Sequence, residues 1–136
     1  MRRLVLCALV ALSACGGSST PTTPTPTIVT DTFTNPSPLG PNGAFTHTFS
    51  TAAAGTVTAT LTTVAPDSTV VLGFQMGIWT SATSTCSAVL SNDAAVQGSL
   101  LSASAASAGT YCVRIYDIGK ISADKPTNYT ITVGHP

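Results

Sequence analysis

Few side chains in this sequence can do chemistry. The candidates are four cysteines, two histidines and five aspartates, and glutamate does not occur. A nucleophile–base–acid relay needs an imidazole at its centre. His47 alternates with phenylalanines in Phe45-Thr46-His47-Thr48-Phe49, the setting of a satisfied core residue. His135 is penultimate and is expected to be mobile. Asp31, Asp67, Asp93, Asp117 and Asp124 are expected in separate turns, so no carboxylate pair for acid–base work is foreseen. No G-x-S-x-G elbow, glycine-rich phosphate loop or metal-ligand spacing occurs. No enzymatic activity, metal or cofactor is expected.

The cysteines divide by position. Leu12-Ser13-Ala14-Cys15 resembles the lipobox of bacterial lipoproteins, in which an aliphatic and two small residues precede the cysteine that becomes the new N-terminus. Small side chains let a peptidase approach the bond, and the thiol is the strong nucleophile that can take a diacylglycerol as a thioether. Met1-Arg2-Arg3 forms a positive start, and residues 4–12 form an apolar run too short to span a bilayer, as an export signal requires. Cys7 competes poorly as a lipidation site because Val5 and Leu6 are not small, and it is expected to leave with the signal. The resemblance implies removal of residues 1–14 and anchoring in the lipid bilayer through acylated Cys15. Several acyl chains hold firmly at ~0.8 kcal/mol per buried methylene, where one holds marginally. Gly16 in place of Asp implies the outer membrane as destination in enterobacterial-type sorting.

Behind Cys15 the chain reads GGSSTPTTPTPTIVT to Thr30, without apolar periodicity. Glycine and serine make such a segment flexible, and Thr-Pro repeats favour extended polyproline geometry. Residues 15–30 therefore read as a disordered tether reaching roughly 45 Å at ~3.1 Å per residue. Residues 31–136 remain for one domain with its own core. Arg114, Lys120 and Lys125 against the five aspartates leave a formal charge of −2, with no basic patch for nucleic acid or electrostatic membrane docking. Only 7 % of residues are charged, and threonine and serine supply the polar surface. In an exported chain Cys86 and Cys112 form an even pair that reads as a disulfide. The alternative is half of a metal site, which the isolated histidines do not complete. A closed loop of about 26 residues would stabilise by roughly 3.5 kcal/mol.

The domain alternates with period two. Phe45, His47 and Phe49 share a face, as do Val57, Ala59 and Leu61 in GTVTATLTTV. TVVLGFQMGIWT at 69–80 reads as the central strand, with Leu72, Phe74, Met76 and Ile78 inward and Trp79 on the Gln75 side. A polar loop over 80–87 precedes a short strand at 88–90, and Asn92-Asp93 reads as a turn into a weak strand over 94–101. TYCVRIY places Tyr111, Val113 and Ile115 inward, and NYTITV places Tyr129, Ile131 and Val133 inward. Strands recurring about every ten residues predict an all-β sandwich.

Gly-Thr-Tyr-Cys-Val-Arg-Ile, a polar loop and Tyr-Thr-Ile-Thr-Val resemble the C-terminal half of bacterial pre-peptidase C-terminal domains. Phe-x-x-x-Phe followed by Gly-Thr-Val-Thr-Ala-Thr-Leu is similar to their N-terminal half. The resemblance covers about residues 30–134 and implies a jelly-roll-like antiparallel β-sandwich of about eight strands, appended to exported proteins. Some members bind calcium or insoluble polymers; in this sequence their aspartate-rich stretch is reduced to Asp67. The functional expectation is an envelope-anchored binding or scaffolding lipoprotein that contacts an envelope protein or polysaccharide. The alternative is a carbohydrate- or polymer-binding accessory module serving secreted hydrolases. Trp79, Tyr116 and Lys120 are the candidate ligand contacts, with Lys125 in the same polar loop.

Overall fold

Strict alternation of apolar and hydroxyl side chains decides the secondary structure. The computed structural model describes residues 24–136. Its eight strands are β1 (Val29–Thr34), β2 (Ala44–Thr51), β3 (Gly55–Ala65), β4 (Leu72–Thr80), β5 (Thr85–Ala95), β6 (Leu100–Ala105), β7 (Gly109–Asp117) and β8 (Asn128–His135). They form two four-stranded antiparallel sheets, ordered β1-β8-β3-β6 and β2-β7-β4-β5. Outermost strands in sequence pair with each other, β1 with β8 and β2 with β7, enclosing β3 with β6 and β4 with β5. That nesting is the jelly-roll connectivity. Only the β4–β5 connection stays within one sheet.

The core lies between the sheets and takes the predicted inward residues. Val57, Ala59 and Leu61 face Tyr129, Ile131 and Val133 of the same sheet and Phe74, Met76, Val113 and Ile115 of the other. Ile78 continues the inward side of β4 but is 51 % exposed, on the wall of an open cleft that it shares with Val89, Ala103 and Tyr111.

Three elements differ from the sequence expectation. β1 starts at Val29, within the stretch that reads as tether, and pairs from Val29↔His135 to Thr34↔Thr130. Its Val29-Asp31-Phe33 alternation is masked by threonines that continue the Thr-Pro run before it. β5 is one eleven-residue strand where a loop, a short strand and a turn are expected. Asn92 does bend the chain, with Oδ1 accepting from the Ala94 amide at 2.9 Å. The result is a bulge, in which Phe74 pairs with Asn92 but Leu72 with Ala95. The actual turn lies at 96–99, where Gly98 has φ +89° and the Ser99 amide donates to Val96 O at 2.9 Å. β6 therefore starts at Leu100.

The sulfurs of Cys86 and Cys112 are bonded, joining β5 to β7 although β4 runs between them. Strands two apart in a flat sheet lie near 10 Å, whereas these Cα atoms are 5.8 Å apart. The approach takes place over Gly77, which pairs with Cys112 on one side and Ala88 on the other. A β-carbon on Gly77 would fall against the Ser87 carbonyl, so β5 laps across β4 in the space a side chain would fill.

The antiparallel order gives the sandwich two distinct ends. At one, Val29 enters, Pro136 ends the chain and the 52–54, 81–84 and 106–108 connections turn. At the other, four loops gather: 35–43, 66–71, 96–99 and 118–127.

Gly77→Ala is expected to destabilise the domain by about 1–3 kcal/mol, since the obstacle is backbone that cannot rotate away. Gly40→Ala, which meets nothing within 4 Å, is the matched control and should leave the thermal unfolding midpoint nearly unchanged. Equal midpoints for the two variants would refute the overlap.

Candidate functional site

Asp117 organises the end opposite the one where β1 begins. Its Oδ2 accepts from the Asn42 amide at 2.9 Å, and its Oδ1 accepts from the Lys120 and Ile121 amides at 2.7 and 3.0 Å. Burial alone would raise this carboxyl, but donors from Asn42, Lys120, Ile121 and Gly119 outweigh it and hold the group below its ordinary value. The 35–43 and 118–127 loops are joined again by Leu39, which exchanges two backbone hydrogen bonds with Thr127, at 2.8 and 2.9 Å. Leu39 itself is fully buried and seals the core beneath them.

Beside this junction a cleft of about 120 Å³ opens between the 66–71 and 118–127 loops. Lys120, Lys125, Ser122 and Asp67 supply its polar lining, with Val70 and Ile121 as apolar wall. Lys120 and Lys125 are the only lysines of the chain. Among the described residues neither makes a salt bridge; the one ion pair there joins His135 to Asp31. The Asp67 carboxyl is held below its ordinary value by the Thr69 hydroxyl, then the Thr69 amide, with a smaller effect from the Lys125 charge. Both Thr69 groups donate to Oδ1, at 2.6 and 2.9 Å.

Tyr116 sits nearby on the outer face of the β2-β7-β4-β5 sheet. Its ring occupies the place of a side chain on Gly73, and the Arg114 guanidinium lies 4.8 Å from the ring centroid. The hydroxyl donates to Asp93 and accepts from Gln75 Nε2 at 3.0 Å. Burial and then the Asp93 carboxylate push this phenol above its ordinary value. Tyr116 is thus committed to its own sheet, half-buried, with its polar tip satisfied. Arg114 and Gln75 are legible as outward residues of their strands. Asp93 was hidden because Asn92-Asp93 reads as a turn.

The structure does not bring the three candidate contacts together. Lys120 and Tyr116 lie at the loop-rich end, but Trp79 lies six residues along β4 from Gly73, the partner of Tyr116. At about 3.3 Å per residue that is roughly 20 Å away. Trp79 is half-buried and pairs across the strands with disulfide-bonded Cys86. A second, apolar cleft opens near that end between Met76, Ile78, Val89, Ala103 and Tyr111. Cys15, the proposed lipidation site, lies outside the described residues.

The histidines are structural in placement. His135 is not mobile: it is buried, with Nε2 3.1 Å from Asp31 Oδ2 and its ring 5.2 Å from that of Phe49. The pairing of β1 with β8 brings Asp31 to it from more than a hundred residues away, which no local signal reveals. His47 is half-buried, stacked on Phe33 at 5.0 Å, with Nε2 2.8 Å from the Tyr129 hydroxyl. The neutral imidazole accepts that bond when Nδ1 carries the proton. Among the described residues no three His, Cys, Asp or Glu side chains converge as a metal site.

Burial lowers the His47 value below 6.5. The unfolded chain therefore takes up a proton in a range where the folded chain does not, and stability falls as pH drops from about 6.5 to the folded value. The unfolding midpoint of the wild type should decline through that window. His47→Gln should decline less over the same range, and parallel curves would count against a buried neutral imidazole.

No protein-family model matches this chain, and no curated protein is significantly similar to it.

Proposed function

We propose that this chain is an envelope-anchored, non-enzymatic binding or scaffolding lipoprotein, held by acylated Cys15 and presenting the loop-rich end of its jelly roll. The observation that carries this reading is the polarity of the sandwich. β1 begins at Val29, directly behind the Thr-Pro stretch, at the end where the chain also terminates. The Asp117-organised loops and the lysine cleft stand at the other end. A spacer of polyproline character ahead of such a domain supports a reading in which the charged loops stand away from the anchor. Held at a surface, even a weak binder gains from a raised effective concentration.

The second reading is a polymer-binding accessory module for secreted hydrolases, as the resemblance to pre-peptidase C-terminal domains implies. The jelly-roll connectivity supports it, since that is the architecture the resemblance calls for. Both readings share the lipid anchor, with Gly16 favouring the outer membrane.

Anchoring is tested by Cys15→Ser. The wild type is expected in the detergent phase on phase separation and the variant in the aqueous phase. A variant that partitions with membranes like the wild type would overturn the anchor.

A further inference from the structure

We infer that the cleft between the 66–71 and 118–127 loops is a binding site for the anionic groups of an acidic polysaccharide, with Lys120 and Lys125 as its cationic contacts. This deepens the binding reading above and rests on it. In a domain that is acidic overall, the chain's only two lysines line one cleft of about 120 Å³, and neither has an ion-pair partner among the described residues. The third cation of the domain, Arg114, is engaged elsewhere over the Tyr116 ring.

Of the nearby carboxylates only Asp67 lines the cleft, where it offsets part of the lysine charge. Asp117 spends both oxygens on backbone amides of Asn42, Lys120 and Ile121. Those bonds fix the backbone that carries Lys120. Asp67 lines the cleft, but its Oδ1 already accepts two hydrogen bonds from Thr69. The charged lining is two cations against one anion, with Ser122 as a hydroxyl partner. Asp124 is exposed in the same loop and outside the lining.

The surroundings favour a polar polymer over a protein. A protein interface is centred on apolar or aromatic anchors. The exposed large apolar side chains here are Ile28, Val29, Ile78, Val89 and Leu100, and none stands on the loops around the cleft. An ammonium is a compact charge without directional demands, so it suits carboxylate and phosphate alike. The acidic group is therefore a uronate or a sugar phosphate, and the experiment separates them.

The test uses the exported, lipidated protein in detergent micelles, titrated with oligogalacturonate, with an oligosaccharide phosphate and with a neutral glucan of equal length. Binding is expected for at least one acidic ligand, weakening as salt rises. Lys120→Gln with Lys125→Gln should weaken it about tenfold, given the modest strength of exposed ion pairs. Arg114→Gln, which removes one charge elsewhere, should leave it within about twofold, and Asp67→Asn should strengthen it. Equal binding of the neutral glucan, equal loss with Arg114→Gln, or tighter binding of polyglutamate than of either glycan would each overturn the assignment. Absence of acidic-glycan binding by a protein that still partitions through Cys15 would remove this site and leave the anchor standing.

Discussion

The place where β5 crosses β4 governs much of the molecule. Because Gly77 has no side chain, the Ser87 backbone settles onto β4 and Cys86 comes within bonding range of Cys112. Three strands of one sheet are thereby clipped at a single point. Past the clip β5 bulges twice against β4, between the pairs Gly77↔Ala88 and Met76↔Leu90 and again between Phe74↔Asn92 and Leu72↔Ala95. The second bulge stands beside Asp93, whose carboxylate accepts from the Tyr116 hydroxyl.

Much of this was legible in the sequence, and the parts that were not share a cause. The inward residues of β2, β3, β7 and β8 follow from period-two alternation, because each strand has one wet and one dry face. The cysteine pair was legible from its even number behind a segment that reads as an export signal. β1 was not, since its threonines are indistinguishable from those of the Thr-Pro run. β5 was not legible as one strand because Asn-Asp is as good a signal for a bulge as for a turn, and only the partner strand decides between them. His135 looked free because its partner, Asp31, is local only in space.

The candidate site shows the same division. Lys120 and its loop could be named from charge alone, and the outward direction of Tyr116 from alternation along its strand. That Tyr116 is held by Gly73, Gln75, Asp93 and Arg114 depends on strands meeting across the sheet. That Trp79 and Tyr116 occupy opposite ends follows from counting residues along β4 once its partner is known. Polarity of this kind is a property of topology, and topology is the least local thing a sequence encodes.

The pairing of β1 with β8 has a mechanical side. The two strands run antiparallel through six residue pairs, and chain entry lies at the end remote from the charged loops. In an antiparallel ladder the hydrogen bonds stand perpendicular to the strands. If the loops hold a fixed partner while the N-terminal side is drawn back toward a membrane, tension runs along β1 and across every one of those bonds together. The ladder is then sheared as a unit and not peeled bond by bond. A β1 oriented in this way resists a pull applied from its N-terminal side.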